Sequence, residues 1–483
     1  MKNQLIILLT FIVTFSGCKK LIEIDAPKNQ QVTSTVFSNN ETTNSALLTI
    51  YAQMYLGTAS PWHIPYCTGI SGDELTNNSP LVVDMYQNAM NPVSSFFSNN
   101  IWNAGYQYVY LANAVYEGCE NAKTLDPEVK KQVMAEARFI RAYWFFYLTN
   151  LYGEIPLPVS TDYTSNAALS KATIEKVFDQ ITADLKAAQI NLNENYVGVN
   201  GLYNPSLPTV ERVRPNKYTA TALLARVSLY RGNFADAETQ ATILINSSSL
   251  YSLQPLNQVF SKSSKEAIWQ IMTPNGISLN TREGNEFIPT LSPQLEGKAT
   301  ISPQLLAAFE KGDLRRDVWI GKFTDVSVTP NKDYYYPYKY KVQSGSTLSE
   351  YSIIFRLAEQ YLIRAEARNE QNNIAGAIAD INTLRTRSRA PISADTPNPL
   401  PALENSITKE QVGDAIQRER RVELFTEQGH RWMDLKRTKA IDQVMKEVCP
   451  GKGGIWNTYK QLWPIPQSDI LNNTKLIQNA GYN

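Results

Sequence analysis

Glu419, Glu423 and Glu427 recur every four residues, and this is the first spacing in the chain that suggests chemistry. Two carboxylates facing a cleft about 5–10 Å apart would be the acid and base of a glycoside hydrolase. Set one turn apart on a helix and interleaved with Arg418, Arg420 and Arg421, they read instead as an ion-paired structural face. The chain has two histidines, His63 and His430, too few for a histidine-rich metal site or a Ser-His-Asp centre. No catalytic residue, metal site or cofactor is therefore expected. A different chemistry is written at the start. Lys2 precedes the apolar run LIILLTFIVTF (5–15), and Ser16-Gly17 lead into Cys18. This is the layout of a bacterial export signal cut by signal peptidase II, after which the Cys18 thiol carries lipid. The run is too short to span a bilayer, which takes about 20 residues. A third group mixes aromatic and polar side chains: Trp62, Tyr66, Asp73, Glu74, Asn77 and Tyr86, with Arg282 further along. Such a mixture stacks on the apolar face of a ring and bonds hydroxyls or amides, so these are the candidate ligand contacts.

These residues need a scaffold. The 483 residues are 43% hydrophobic, ample for a large core, and their formal charge of +1 falls to neutrality once Lys2 leaves with the leader. A neutral chain argues against nucleic acid as a partner. Besides Cys18, the cysteines are Cys67, Cys119 and Cys449. Three is an odd number without zinc or CxxC spacing, and at most one disulfide can join them. Helical periodicity predicts helices from Asn40 to Leu56, Ile101 to Glu120 and Thr173 to Leu192. Asp126-Pro127-Glu128 opens another that runs to Gly153, with Trp144, Phe145 and Phe146 as core aromatics. KYTATALLARVSLYRGNFADAETQATILI (217–245) and EQYLIRAEARNEQNNIAGAIADINTLRTR (359–387) repeat one pattern. Ala222, Ala225 and Ala237 of the first match Leu362, Ala365 and Ala377 of the second. Small residues at helix crossings are what tetratricopeptide hairpins require. Residues 60–100 and 248–350 read as irregular, with short β pieces at Ala267 to Met272 and Tyr334 to Val342. Long loops of this kind usually carry function.

Four blocks carry a family resemblance. AEARFIRAYWFFYLTNLYGEIPLP (135–158), RLAEQYLIRAEARN (356–369), IQRERRVELFTEQGHRWMDLKRT (416–438) and LWPIPQSDILNNTKLIQNAGY (462–482) resemble the SusD/RagB family of surface nutrient-binding lipoproteins. The resemblance implies a mostly α fold, in which tetratricopeptide-like hairpins form a right-handed superhelical scaffold beside a loop-rich ligand-binding portion with short β pieces. It implies a signal peptide (1–17), a lipid-anchored tether (18–35) and a single body (36–483). That body divides into an N-terminal region to about 245, an insert of about 248–350 and a C-terminal region from about 351. The implied role is capture of an oligosaccharide or oligopeptide, without catalysis, for a SusC-like TonB-dependent β-barrel transporter. The implied place is the outer membrane, held by the Cys18 lipid and facing outward. The family's starch-binding founder carries a tryptophan-rich arc near the place of residues 76–86, where this chain has no tryptophan; that departure leaves glycans other than starch, and peptides, open. A surface glycosidase and a purely structural tetratricopeptide assembly protein are the alternatives.

Overall fold

The computed structural model describes residues 33–57, 60–206 and 211–482, so Cys18 and the leader lie outside the described residues. Helices dominate. α1 (Asn40–Leu56) starts where periodicity places it because the Asn39 side chain accepts a hydrogen bond from the Thr42 N–H. α2 (His63–Ser71), β1 (Leu75–Thr76) and α3 (Phe96–Asn121) follow. α3 begins earlier than the Ile101 start read from periodicity; its cap residue Ser95 makes no side-chain capping bond, so the sequence carries no start signal there. α4 (Pro127–Tyr152) is capped by Asp126, which accepts from the Glu128 and Val129 N–H groups. Trp144, Phe145 and Phe146 on α4 are fully buried, as expected. α5 (Ile174–Asn191) completes this part.

The repeated pattern folds as two helical hairpins, α6 (Lys217–Tyr230) with α7 (Phe234–Asn246), and a second pair described below. Between them the chain forms β2 (Ala267–Ile271), α8 (Arg282–Phe287), β3 (Thr300–Ile301), β4 (Ile320–Asp325), β5 (Lys332–Pro337) and β6 (Ser352–Arg356). α9 (Leu357–Glu370) and α10 (Ile374–Ser388) are the second hairpin; α11 (Lys409–Leu424) and α12 (His430–Arg437) follow. All six slots of the repeat, Ala222, Ala225, Ala237, Leu362, Ala365 and Ala377, are fully buried. The tight turns match too. Gly232 (φ 72°) and Asn372 (φ 65°) hold the same repeat position, five residues before the second-helix alanine, in the left-handed conformation that glycine and asparagine adopt most readily. α7 packs directly on α9, so the hairpins stack although residues 248–350 separate them in sequence. The fold is mostly α and tetratricopeptide-like.

The region 60–100 is less irregular than expected. Residues 63–71 form α2 despite Pro65, because a proline in the first turn of a helix gives up an N–H that has no helical partner. The expected strand at Tyr334 to Val342 lies earlier, at β5, which pairs antiparallel with β4. β1 pairs antiparallel with β3, Leu75 opposite Ile301 and Thr76 opposite Thr300. Beside this ladder the Ser302 N–H donates to the Glu74 carbonyl at 2.9 Å. The Ser302 hydroxyl donates to the Asp73 carbonyl at 2.6 Å. The two loop regions that were separate in sequence are thereby one body. β2 pairs with β6 and sets the fully buried Trp269 on Phe355, ring centroids 5.9 Å apart. Cys67, Cys119 and Cys449 are free and buried. Among the described residues no helix is long and apolar enough to cross a membrane.

The spaced glutamates are ion-paired, but not through the arginines that flank them. α11 ends at Leu424, so Glu427 sits in the following turn. Glu419 and Glu423 accept from Arg315 at 2.6 and 2.8 Å. Glu423 and Glu427 both accept from Arg356 at 2.6 Å. Arg387 also binds Glu423, and Lys339 binds Glu427. The partners come from remote segments because the glutamates face the interior, where a buried carboxylate needs cations.

Candidate functional site

The β1–β3 ladder presses α2 against α8, and an aromatic cluster forms between them. Trp62 lies 4.2 Å from His63 and 5.3 Å from Tyr66, ring centroid to centroid. Tyr66 reaches Phe97 at 6.1 Å and Phe287 at 6.2 Å. Phe97 meets Phe96 edge to face at 5.3 Å, and Phe96 is 62% exposed, so the cluster runs from the core out to water. Such tilted and edge-on pairs each contribute about 0.5–1.5 kcal/mol beyond burial, which makes the wall rigid.

α8 supplies polar groups beside this wall. The Thr281 hydroxyl caps it by accepting from the Gly284 N–H at 3.0 Å. A Cβ on Gly284 would come within 2.3 Å of the Val342 carbonyl oxygen, so glycine allows the helix to lie close against that strand of loop. One face of α8 turns inward: Phe287 is buried, and Glu283 accepts from the Ser352 hydroxyl at 2.7 Å, with burial pushing its carboxyl up to about 7. Arg282 and Glu286, one turn apart on the other face, are half-buried. The Arg282 guanidinium stacks over Tyr55 at 5.6 Å and makes no hydrogen bond among the described residues; its Nε is buried without a partner. Glu286 likewise accepts no hydrogen bond, and partial burial pushes its carboxyl upward.

His63 adds a donor. Burial, first, and the nearby Arg282 charge hold it near 4, so the imidazole is neutral at pH 7. Its Nδ1 accepts from the Ser60 N–H at 3.0 Å, which places the ring proton on Nε2, an atom with no partner among the described residues. Trp62 Nε1 is also buried without a partner. An arginine, a carboxylate, an imidazole N–H and an indole N–H, none hydrogen-bonded among the described residues, thus belong to this cluster or to α8 beside it, with the Arg282 charge close to both His63 and Glu286.

The other residues expected at the site have local work. Asp73 is 3% exposed, and its carboxylate accepts from Arg421 at 2.7 Å and from Arg431 at 2.8 Å. Burial opposes that charge, but the Arg431 hydrogen bond and the two guanidinium charges outweigh it and hold the carboxyl below its usual range. Glu74 is 2% exposed with one oxygen unpartnered; burial, then the Asp73 charge, push it up to about 8. Asn77 closes a turn on itself, its side chain bonding the Ser79 N–H and carbonyl. Asn78 donates to the Lys298 carbonyl at 2.8 Å and holds the two loops together. Tyr86 is half-buried under the Lys452 ammonium, 4.6 Å above its ring. That lysine also donates to the carbonyls of Ile70, Ser71 and Gly72 at 2.6, 3.0 and 2.8 Å, closing the C-terminus of α2. Of the expected contacts, Trp62 and Tyr66 lie in the aromatic cluster and Arg282 carries its charge beside His63; Glu286, Phe96 and Phe97 were not among the expected residues. The i, i+4 pairing of Glu286 with Arg282 was the available signal.

Comparison with known proteins adds the following. A sequence model described as the SusD family matches residues 315–482, and one described as starch-binding associating with outer membrane matches residues 23–229. Between them they take in more than three quarters of the chain. A SusD-like protein of Formosa agariphila, P2, is 26% identical over 430 residues, 79% of this chain and 80% of that protein. A SusD superfamily crystal structure from Bacteroides vulgatus superposes with a TM-score of 0.76 at 19% identity, covering 92% of this chain and 99% of that one. A structure described as a laminarin binding SusD-like protein superposes with a TM-score of 0.72 at 20% identity, covering 92% of this chain and all of that one. At these identities the structures speak for the fold.

Proposed function

The chain belongs to the SusD family, and from that premise we propose that it is a glycan-binding lipoprotein of the outer membrane that captures an oligosaccharide at the Arg282–Glu286 cluster. One observation carries the location. Buried arginines elsewhere are paired with carboxylates, as Arg141 with Asp184, Arg214 with Glu136, Arg226 with Glu359 and Arg420 with Asp434. Arg282 and Glu286 on α8 stand half-buried beside an aromatic wall with no hydrogen bond or ion pair among the described residues. A sugar ring stacks its C–H face on Phe96 and Phe97, while its hydroxyls give to Glu286 and take from Arg282 and His63 Nε2. The family description as starch-binding and the laminarin-binding description of one structural relative favour a glycan over a peptide. Capture followed by release needs modest affinity, micromolar or about −8 kcal/mol.

Arg282→Ala and Glu286→Gln should each weaken binding at least tenfold in calorimetric titration against neutral and acidic oligosaccharides, with an unchanged melting temperature. Full affinity in both variants places the site elsewhere. We further propose that the chain is non-catalytic: Glu419, Glu423 and Glu427 are held by arginines and a lysine and face no cleft. Sustained product release from a glycan by pure protein would overturn this. The acceptor of the captured glycan is proposed to be a SusC-like TonB-dependent transporter, over which the lipid-anchored chain sits on the outer face of the membrane. Copurification of such a barrel with the tagged chain from solubilised outer membranes tests that partnership.

A further inference from the structure

A second groove lies around α3 from the aromatic cluster. Phe97 and Trp102 are five residues apart, which places them about 140° apart around the helix. The groove has a volume of about 580 Å³, within the range of about 300–1,000 Å³ typical of small-molecule sites. Its floor is fixed. Trp102 Nε1 donates to Asp469 Oδ2 at 2.5 Å, the Tyr106 ring lies 4.8 Å from Trp102, and the Tyr106 hydroxyl donates to the Pro156 carbonyl at 2.8 Å. Its rim is open. Tyr110 and Tyr163 are 53% and 82% exposed, and neither hydroxyl is bonded among the described residues. The Asn166 amide donates to the Ser160 carbonyl at 2.8 Å and leaves its Oδ1 free, and the exposed Asn472 side chain has no partner among the described residues. We infer that this groove is a second glycan-binding site, taking a neutral oligosaccharide.

Three features select that class. Two tyrosine faces open to water suit the C–H faces of sugar rings and would otherwise be costly apolar surface on one patch. The free polar atoms, two phenol hydroxyls, an amide oxygen and an amide side chain, match hydroxyl partners. Among the described residues the only charged one lining the groove is Asp469, with no lysine, arginine or histidine, so a phosphate or a uronate would meet a carboxylate without a compensating cation. The residues lining it, from α3 beyond Trp102, from 156–169 and from 469–476, include none of the first cluster. A surface lipoprotein with two separated sites would hold one long chain at two points, where effective concentration raises avidity without any new contact.

The test is made in an Arg282→Ala background of the mature protein, so that the two sites are read apart. Maltohexaose, laminarihexaose, cellohexaose, xylohexaose and mannohexaose are titrated calorimetrically, with hexagalacturonate and hexa-alanine as charged and peptide probes. Residual binding of at least one neutral hexasaccharide is expected. Adding Tyr110→Ala and Tyr163→Ala, both at exposed positions, should weaken that binding at least tenfold with an unchanged thermal melt. Residual binding indifferent to the two tyrosines, no residual binding of any neutral hexasaccharide, or a preference for the uronate or the peptide each overturns the proposal. If Arg282→Ala itself leaves the main binding intact, the first site is misplaced while the tyrosine comparison still decides the second.

Discussion

At the scale of residues, the carboxylates Asp73 and Glu74 are neighbours in sequence and opposite in state. Asp73 faces two guanidinium groups and stays ionised; Glu74 faces mostly apolar burial beside the Asp73 charge and holds its proton to about 8. Removing the Asp73 charge strands two arginines. Asp73→Asn should lower unfolding free energy in urea by on the order of 3 kcal/mol, the low end for a broken buried pair because both arginines keep some access to water. Glu74 works the other way with pH. Its folded value lies above its ordinary 4.5, so the stability it confers is complete below 4.5 and is lost as pH rises through about 8, at up to about 1.4 kcal/mol per pH unit. Glu74→Gln removes that slope. Measured against the native chain, the variant should gain more than about 1 kcal/mol between pH 5 and pH 8.5; an equal difference at both pH values would show that Glu74 is already ionised at pH 5. Asp73, held below its usual range, changes state only on the acid side of this window.

At the scale of elements, α2 carries Trp62 and His63 at its entrance and is closed at its exit by Lys452. Three carbonyls share one buried ammonium; the Ser71 carbonyl also accepts from the Asn88 amide, so Lys452→Met leaves those of Ile70 and Gly72 without that donor, at a cost of about 1–3 kcal/mol each if neither recovers water. A loss of several kcal/mol is expected, with faster amide exchange in residues 66–71; protection unchanged there would show that the helix closes itself. This element was the hardest to read beforehand. HIPYCTGIS holds a proline and a glycine, which read as loop, and β-branched residues, which favour strand, while the cap that stabilises it comes from almost 400 residues away in sequence. The hairpins were easy for the opposite reason. Their stability rests on alanines at fixed spacing and a left-handed turn residue, Gly232 or Asn372, and all of that information is local. The site lies between these extremes. Its residue types announced ligand chemistry, but whether an acid was free, like Glu286, or bound, like Asp73, depended on arginines hundreds of residues distant, at 421 and 431.

At the scale of the whole molecule, the anchoring expected at Cys18 sets where every other feature acts. Cys18→Ala should move the chain from the membrane fraction to the soluble periplasmic fraction and abolish incorporation of labelled palmitate; a variant that stays membrane-bound without label would mean that another contact holds it. The stacking of α7 on α9 has a consequence of another kind. The chain leaves the helical scaffold at the end of one hairpin and re-enters at the start of its spatial neighbour, so the excursion that builds α8 and adds Phe287 to the aromatic wall begins and ends in stacked neighbours. It is fastened at its far side by main-chain pairing, Leu75 to Ile301 and Thr76 to Thr300, which makes no demand on side-chain identity. Loops in this stretch can lengthen, shorten or change their residues while the hairpins keep their packing. A lineage built on this plan can therefore revise the α8 side of the proposed site by rewriting one stretch of sequence, with the helical framework inherited intact.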